Sequence, residues 1–243
     1  MKQIATLLAC SLPLTGIAAD MRFTGKATPP DSDNVIYEER HVVEGECTGG
    51  LFRPTSQTVT YVRGDANTFA KKTLTYDQSP LRPSVDFQQP GFNEVMDIRN
   101  RNDSELDIKW QTPEGNTETS TVAITEKLVV DAGFDNFVRR YWSEVTSGET
   151  VAFDFLAPTR SKAYGFVLEP TDDDRINAAH TVRIEPSGTI LSFLVDPILL
   201  GYNENGALTD YLGLTNIRKD KDSNYRAHIR YTVETTPDCE LTR

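Results

Sequence analysis

The stretch 132–147, AGFDNFVRRYWSEVTS, stands out in a chain that otherwise reads as strands and turns. Its apolar side chains recur at helical spacing and form one stripe, roughly 140° wide. The stripe consists of Phe134, Phe137, Val138, Tyr141, Trp142 and Val145. Aromatic side chains each bury on the order of 150–250 Å², so this face has to be covered. We therefore expect one central amphipathic helix over about 132–147 that packs on a β-sheet.

The residues that flank this stretch fit the ends of a helix. Asp131 precedes it, and a carboxylate at that position can accept hydrogen bonds from the first free backbone N–H groups. Gly148 follows it, and glycine readily takes the left-handed conformation in which many helices end. We expect Asp131 to cap the helix and Gly148 to end it.

The rest of the chain contains about a dozen short segments of strand-like composition, separated by turn residues. Segment 150–156 (TVAFDFL) alternates, segments 181–185 and 189–195 flank the turn 186–188, and segment 119–130 leads into the helix. Crossover helices are missing from this pattern, which favours an antiparallel meander. We expect a mainly β protein with a large curved sheet or open barrel packed on the helix. A two-part layout also fits.

The first residues resemble a secretory signal peptide. Lys2 precedes an apolar run up to Ala18, and small residues end it. We expect a signal peptide over 1–19 with cleavage after Ala19; a lipoprotein signal ending at Cys10 is the alternative. Residues 20–34 are polar and contain two prolines, which predicts a loose N-terminal arm. The remaining residues, 35–243, are expected to form a single β-rich domain because no linker divides them.

Charge and hydropathy narrow the classes of partner. The chain of 243 residues carries a net charge of −11, which becomes −12 when Lys2 is removed with the signal peptide. So acidic a protein is a poor ligand for nucleic acids and for anionic lipid headgroups. No stretch after the signal is long and apolar enough to cross a bilayer. We expect an exported protein, periplasmic or secreted, with no nucleic-acid partner; the sequence does not identify a protein partner.

The cysteines predict one covalent link. Of the 3 cysteines, Cys10 leaves with the signal peptide. Cys47 and Cys239 then remain in an oxidising compartment without a competing thiol. We expect them to form a disulfide that closes a loop of about 190 residues, for which the loop-entropy estimate is roughly 4–5 kcal/mol.

Motifs for catalysis, metals and cofactors are absent from the sequence. The 3 histidines, His41, His180 and His228, show no metal-ligand spacing. Glu39 and His41 share a strand face, which predicts a surface ion pair rather than a general base. No nucleophile elbow or glycine-rich phosphate loop is present. We expect no catalytic residue, no metal ligand and no cofactor.

One acidic segment superficially suggests calcium. Asp220, Asp222 and Asn224 have the spacing of the first ligands in an EF-hand loop. Tyr225 replaces the glycine that permits the turn, and Tyr231 replaces the bidentate glutamate. The segment is therefore interpreted as a solvated loop.

Four stretches loosely resemble uncharacterised exported β-rich proteins of Gram-negative bacteria. They are YEERH (37–41), KKTLTYDQSP (71–80), DAGFDNFVRRYW (131–142) and DYLGLTNI (210–217). By layout alone, the chain is also similar to periplasmic lipoprotein carriers. This resemblance implies a half-barrel sheet that holds acyl chains under a helical lid. The carriers use several lid helices, whereas this sequence predicts one.

The leading functional hypothesis is a non-enzymatic exported protein that binds an apolar small molecule or a lipid in a cavity beneath the helix. Its candidate wall consists of Phe134, Phe137, Tyr141, Trp142, Phe153, Phe155 and Phe166. One alternative is a structural or interaction module of the cell envelope without a ligand. Another is a hydrolase or isomerase whose active-site residues come from distant strands.

Overall fold

A computed structural model describes residues 16–64, 67–188 and 196–243 as one 15-stranded open sheet with two short helices. This confirms the predicted mainly β fold. The strands are β1 (Ile17–Thr28), β2 (Tyr37–Thr48), β3 (Leu51–Arg63), β4 (Asn67–Thr75), β5 (Ser84–Gln89), β6 (Glu94–Arg101), β7 (Glu105–Gln111), β8 (Thr117–Ala123), β9 (Leu128–Val129), β10 (Val151–Ala157), β11 (Lys162–Pro170), β12 (His180–Pro186), β13 (Ile198–Tyr202), β14 (Leu208–Arg218) and β15 (Asn224–Thr235). The helices are α1 (Gly133–Arg140) and α2 (Trp142–Thr146).

The first and last strands of the chain, β1 and β15, lie side by side in the middle of the sheet, and the other strands follow outwards on each side in chain order. The strand order runs from β8 back to β1, continues with β15, and then descends to β9. Every neighbouring pair is antiparallel except β9 and β10, which pair in parallel. The antiparallel meander is thus confirmed, with that one exception. The predicted strand 189–195 and the proposed signal-peptide residues 1–15 lie outside the described residues. None of the helices in the described ranges is long and apolar enough to cross a membrane.

The predicted loose arm at 20–34 is wrong for its first half, because residues 20–28 belong to β1 in the middle of the sheet. Met21, Phe23 and Ala27 alternate with polar residues and are buried. This alternation is typical of a strand with one buried face, but the polar residues between the buried ones gave the segment the composition of a loop. The strand begins before the proposed cleavage site after Ala19, and cleavage there, which remains a prediction, would shorten β1 by its first residues.

The expected single helix is two helices. Between α1 and α2 the backbone at Tyr141 leaves helical geometry, with φ −105° and ψ 29°. Its N–H donates to the carbonyl groups of both Phe137 and Val138, which tightens the last turn of α1. Gly148 has φ 99°, the predicted left-handed conformation.

Asp131 does not have the geometry of an N-cap. Its φ is +46°, and Ala132 occupies the cap position. The Asp131 carboxylate accepts a hydrogen bond from the Ala132 N–H at 2.7 Å and is paired with Lys72 Nζ at 2.8 Å. The residue therefore ties the start of α1 to β4.

Two hydrophobic cores lie on either side of β9 and β10. The first core contains buried side chains of β1 to β7, β14 and β15 and includes Leu128 and Leu156. The second core lies beneath the helices and includes Val129 and Phe153. Since β9 is the last strand of the sheet, this end of the sheet is enclosed between the two cores. This edge of the sheet is therefore buried.

The predicted disulfide between Cys47 and Cys239 is present, with their Cα atoms 5.9 Å apart and 192 residues of separation. Backbone hydrogen bonds support it, because Phe52 donates to the Glu240 carbonyl at 2.8 Å. Glu240 in turn donates to the Gly50 carbonyl at 3.0 Å. The C-terminal segment is thus fastened to the β2–β3 hairpin.

Candidate functional site

Two of the seven predicted wall residues are core residues. Phe137 and Phe153 are 3% and 2% exposed, and their ring centroids lie 4.7 Å apart. Such close ring packing leaves no space for a ligand between α1 and β10. A ligand could reach these two rings only if the second core opened.

The other five predicted residues are partly buried at the borders of the second core. Phe155 and Phe166 contact each other, with ring centroids 6.2 Å apart. Phe134 contacts Tyr211 at 6.2 Å, and Tyr141 lies 4.8 Å from Phe137. The seven aromatics therefore surround one core and do not line one common cavity. Contact of any of them with a ligand remains a prediction.

An open groove of about 370 Å³ lies where α2 faces the connection between β11 and β12. Of the predicted wall residues, it contains Trp142. The groove is lined by Trp142, Val145, Thr146, Pro170, Thr171, Asp172, Ala179, His180, Thr181 and Val182. Val145 and Val182 are buried and form its apolar floor.

Trp142 is held in place by two perpendicular ring contacts. Its centroid lies 5.0 Å from that of His180 and 5.7 Å from that of Tyr202. His180 opens β12 and pairs across the strands with Tyr202 on β13. His180 Nε2 also lies 3.5 Å from a carboxylate oxygen of Glu204, an exposed residue in the β13–β14 turn. The register of β12 and β13 thus fixes the aromatic wall of the groove.

Close to α1, a chain of buried polar side chains crosses the inner face of the sheet. His41 Nε2 lies 2.9 Å from Glu39 Oε2, and the Tyr231 hydroxyl donates to the same oxygen at 2.9 Å. Gln57 donates to His41 Nδ1 at 3.1 Å, and Tyr76 donates to Gln57 Oε1 at 2.8 Å. Burial and the neighbouring Glu39 raise the pKa of Tyr231 well above its ordinary value.

The Glu39–His41 pair was predicted at the surface, and the structure corrects this. Both side chains are largely buried, because odd-numbered residues of β2 face inward. The adjacent cavity, which Gln57 and Tyr76 line, measures about 10 Å³. That volume suits about one water molecule. This chain of hydrogen bonds therefore organises the interior and has no room for a substrate.

The third histidine has a carboxylate partner of its own. His228 Nε2 lies 2.9 Å from Asp210 Oδ1, and both side chains are buried. Each histidine thus pairs with a different acid, and among the three, His180 borders the groove. Within the described ranges, no group of three His, Cys, Asp or Glu side chains is placed to hold a metal ion. Asp220 accepts hydrogen bonds from the Asp222 and Ser223 backbone, which closes a tight turn.

A buried ion pair anchors α1, and its burial could not be predicted from the residue pattern. Arg139 Nη2 lies 2.9 Å from Asp135, four residues earlier, and Arg139 Nε donates to the Gly206 carbonyl at 2.9 Å. Burial raises the pKa of Asp135 although Arg139 opposes that change. The arginine therefore joins α1 to the β13–β14 turn next to the groove.

No protein-family model and no curated protein sequence matches the chain. The chain is similar to a β-barrel-like protein of the domain of unknown function DUF1849 from Brucella abortus, with TM-score 0.38 and 11% identity over 94% of this chain and 99% of that one. It is also similar to a domain named for outer membrane lipoprotein sorting from Vibrio parahaemolyticus, with TM-score 0.29 and 10% identity over 91% and 85% of the two chains. Both TM-scores lie below 0.5, so neither similarity says anything about a ligand or a function of this chain.

Proposed function

We propose that this is an exported, non-enzymatic binding protein that holds an apolar or lipid-like ligand in the groove beside α2. The observation that carries the proposal is the groove itself. Its volume of about 370 Å³ falls within the roughly 300–1,000 Å³ usual for ligand sites. Its lining is mainly polar, with Trp142 and Pro170 as apolar members that solvent reaches.

The apolar part of the groove supports a ligand with a hydrocarbon portion. Trp142 and Pro170 provide apolar surface that faces solvent in the groove, whereas Val145 and Val182 beneath it are already buried. Covering this surface with hydrocarbon would contribute roughly 25 cal/mol for each Å² of apolar area removed from water. The site proposed here replaces the cavity expected beneath Phe137.

Export is supported by the disulfide between Cys47 and Cys239, because such bonds persist in oxidising compartments. Together with the predicted signal peptide, the disulfide supports a location in the periplasm or outside the cell. A ligand site in such a protein would serve transfer or capture of an amphipathic molecule between envelope layers.

Native mass spectrometry of protein purified from the periplasm, followed by lipid extraction, tests the proposal. We expect a co-purifying amphipathic molecule that is lost from a Thr181→Lys variant, whose added charge lies in the lining of the groove. Val233→Lys, at a site on β15 outside the groove lining, serves as the control for an added charge. Circular dichroism checks that both variants fold. Recovery of the bare protein in every preparation, together with no binding of added alkyl ligands, would overturn the proposal in favour of an interaction module.

A further inference from the structure

We infer that the polar portion of the ligand is an uncharged group rich in hydroxyls, such as a sugar or another polyol, attached to the apolar portion. This inference rests on the proposed function and specifies the headgroup that the same groove would take. It is carried by the charges, the hydrogen-bonding groups and the aromatic wall of the groove.

The charge of the groove disfavours an anionic headgroup. Among the residues that the structure describes, Asp172 is the one carboxylate of the lining, and none of the lining residues is lysine or arginine. The nearby Arg175 is engaged by Asp173, with Nη2 and Oδ2 2.7 Å apart. The whole chain carries −11. A phosphate, sulfate or carboxylate group would therefore enter a negative site without a cation to pair with it.

The hydrogen-bonding groups of the rim distinguish a polyol from an ammonium group. Thr171, Thr181 and His180 can each donate and accept, whereas Asp172 accepts. Hydroxyl groups also donate and accept, so they can use every one of these partners. An ammonium group offers donors alone and would leave the donors of the rim unmatched.

The backbone holds the two threonines of the rim together. The N–H of Thr171 donates to the carbonyl of Thr181 at 3.0 Å, where the chain leaves β11 and enters β12. On the opposite side, Thr146 donates its hydroxyl to the Trp142 carbonyl at 2.7 Å and keeps its oxygen lone pairs as acceptors. The backbone that carries these polar groups is thus ordered on both sides of the groove before any ligand binds, which lowers the entropic cost of binding.

The aromatic wall suits a ring that has both C–H and O–H groups. Trp142 is fixed by His180 and Tyr202 and borders the groove between the apolar floor and the polar rim. A sugar ring presents C–H groups on its faces and hydroxyls around its edge. Such a ring can cover an indole while its hydroxyls reach the rim.

Isothermal titration calorimetry with three octyl compounds tests the inference on the full exported protein. Octyl β-D-glucoside, octanoate and octylammonium share one hydrocarbon chain and differ in headgroup; each is used below its critical micelle concentration. We expect the glucoside to bind about tenfold tighter than the other two, which corresponds to one or two additional hydrogen bonds. Equal affinity of the three would overturn the headgroup inference and retain the groove. Tighter binding of octylammonium or octanoate would also overturn it. Absence of binding by all three would overturn the proposed function as well.

A matched variant isolates the headgroup. Thr171→Val together with Thr181→Val keeps the side-chain shapes and removes two hydroxyls. We expect the affinity for octyl glucoside to fall about tenfold, with octylammonium unchanged. Thr60→Val, at a β3 position outside the groove lining, is the control, and circular dichroism verifies the fold of each variant. Unchanged glucoside affinity in the folded double variant would overturn the inference.

Discussion

Leu128 and Val129 are adjacent in the chain, and their side chains lie in different hydrophobic cores. Both are almost fully buried. Alternation along β9 sends Leu128 to the first core and Val129 to the second. The same holds along β10, where Leu156 and Phe153 separate in this way. β9 and β10 thus form the wall between these two cores.

This wall predicts which core substitutions are energetically independent. Phe137→Leu and Phe153→Leu each remove packing from the second core and should cost about 1–2 kcal/mol in the free energy of unfolding. Because their rings are in contact, we expect a coupling energy of about 0.5 kcal/mol or more. Leu156→Val, on the other side of the wall, should combine additively with Phe137→Leu.

Urea unfolding of the single and double variants measures these terms. Additivity is expected within about 0.5 kcal/mol for the pair in different cores. A coupling between Leu156 and Phe137 as large as that between Phe137 and Phe153 would contradict the two-core arrangement.

Removal of the disulfide should destabilise the protein by about 2–5 kcal/mol. Cys47→Ser, Cys239→Ser and the double variant should have the same free energy of unfolding, because each of them abolishes the one bond between these residues. Chemical denaturation measures the three. Alkylation followed by mass measurement, with and without reductant, provides the direct check: two free thiols in the unreduced protein would show that the bond is absent.

Gly133 is the point of closest approach between α1 and the segment that precedes β5. A Cβ atom at this position would lie 2.2 Å from the carbonyl oxygen of Leu81, a backbone atom that also accepts a hydrogen bond from Val130. Gly133→Ala should therefore destabilise the protein by about 1–3 kcal/mol. The control is Gly91→Ala, whose Cβ would meet nothing within 4 Å. Similar thermal unfolding of the two variants would refute the close approach.

Arg139 should be far more important than its neighbour Arg140. Arg139→Met removes the partner of Asp135 and leaves a buried carboxylate unpaired, at a cost of about 3–5 kcal/mol. Arg140 is exposed, so Arg140→Met should change stability by less than about 0.5 kcal/mol. Adding Asp135→Asn to Arg139→Met should recover part of the loss. Denaturant unfolding compares the variants, and equal effects at the two arginines would exclude a buried pair.

The free energy of unfolding should depend weakly on pH through Asp173, which lies in the loop beside the groove. Hydrogen bonds from Arg175 lower the pKa of Asp173 from 3.8 to about 2. Since the folded pKa is the lower one, the stabilisation is fully present above pH 3.8 and is lost as the pH falls towards 2. The pair is partly exposed to solvent, so we expect less than about 1 kcal/mol. NMR titration of the carboxyl group measures the pKa, which should return towards 3.8 in Arg175→Gln. An unchanged titration in that variant would exclude Arg175 as the cause.

The disulfide and the apolar face of the helix could be predicted because they depend on local pattern and on counting. Cys47 and Cys239 have no other partner once the signal peptide is gone, and an aromatic stripe at helical spacing has to be buried. The break at Tyr141 could not be predicted. It arises from hydrogen bonding at the end of α1, which no residue type in the segment dictates.

The two cores and the groove could not be read from the sequence either. The run of Leu128, Val129 and Val130 is apolar throughout, and such a run does not reveal that its two faces meet different cores. The groove depends on how α2 meets the connection between β11 and β12, and hence on the curvature of the sheet. Sequence reasoning included Trp142 but missed His180, Thr171 and Thr181, whose shared position appears only in three dimensions.

The pairing of β1 with β15 has a consequence for the order in which the chain can fold. Thr24 donates a hydrogen bond to Glu234, 210 residues later, so the centre of the sheet depends on contacts that are remote in sequence. Hairpins such as β2–β3 can form early, whereas the pairing of β1 with β15 can form only after the final strand has been synthesised. Any chain released before β15 is complete would present β1 and β14 as two unpaired edges, and such edges invite aggregation.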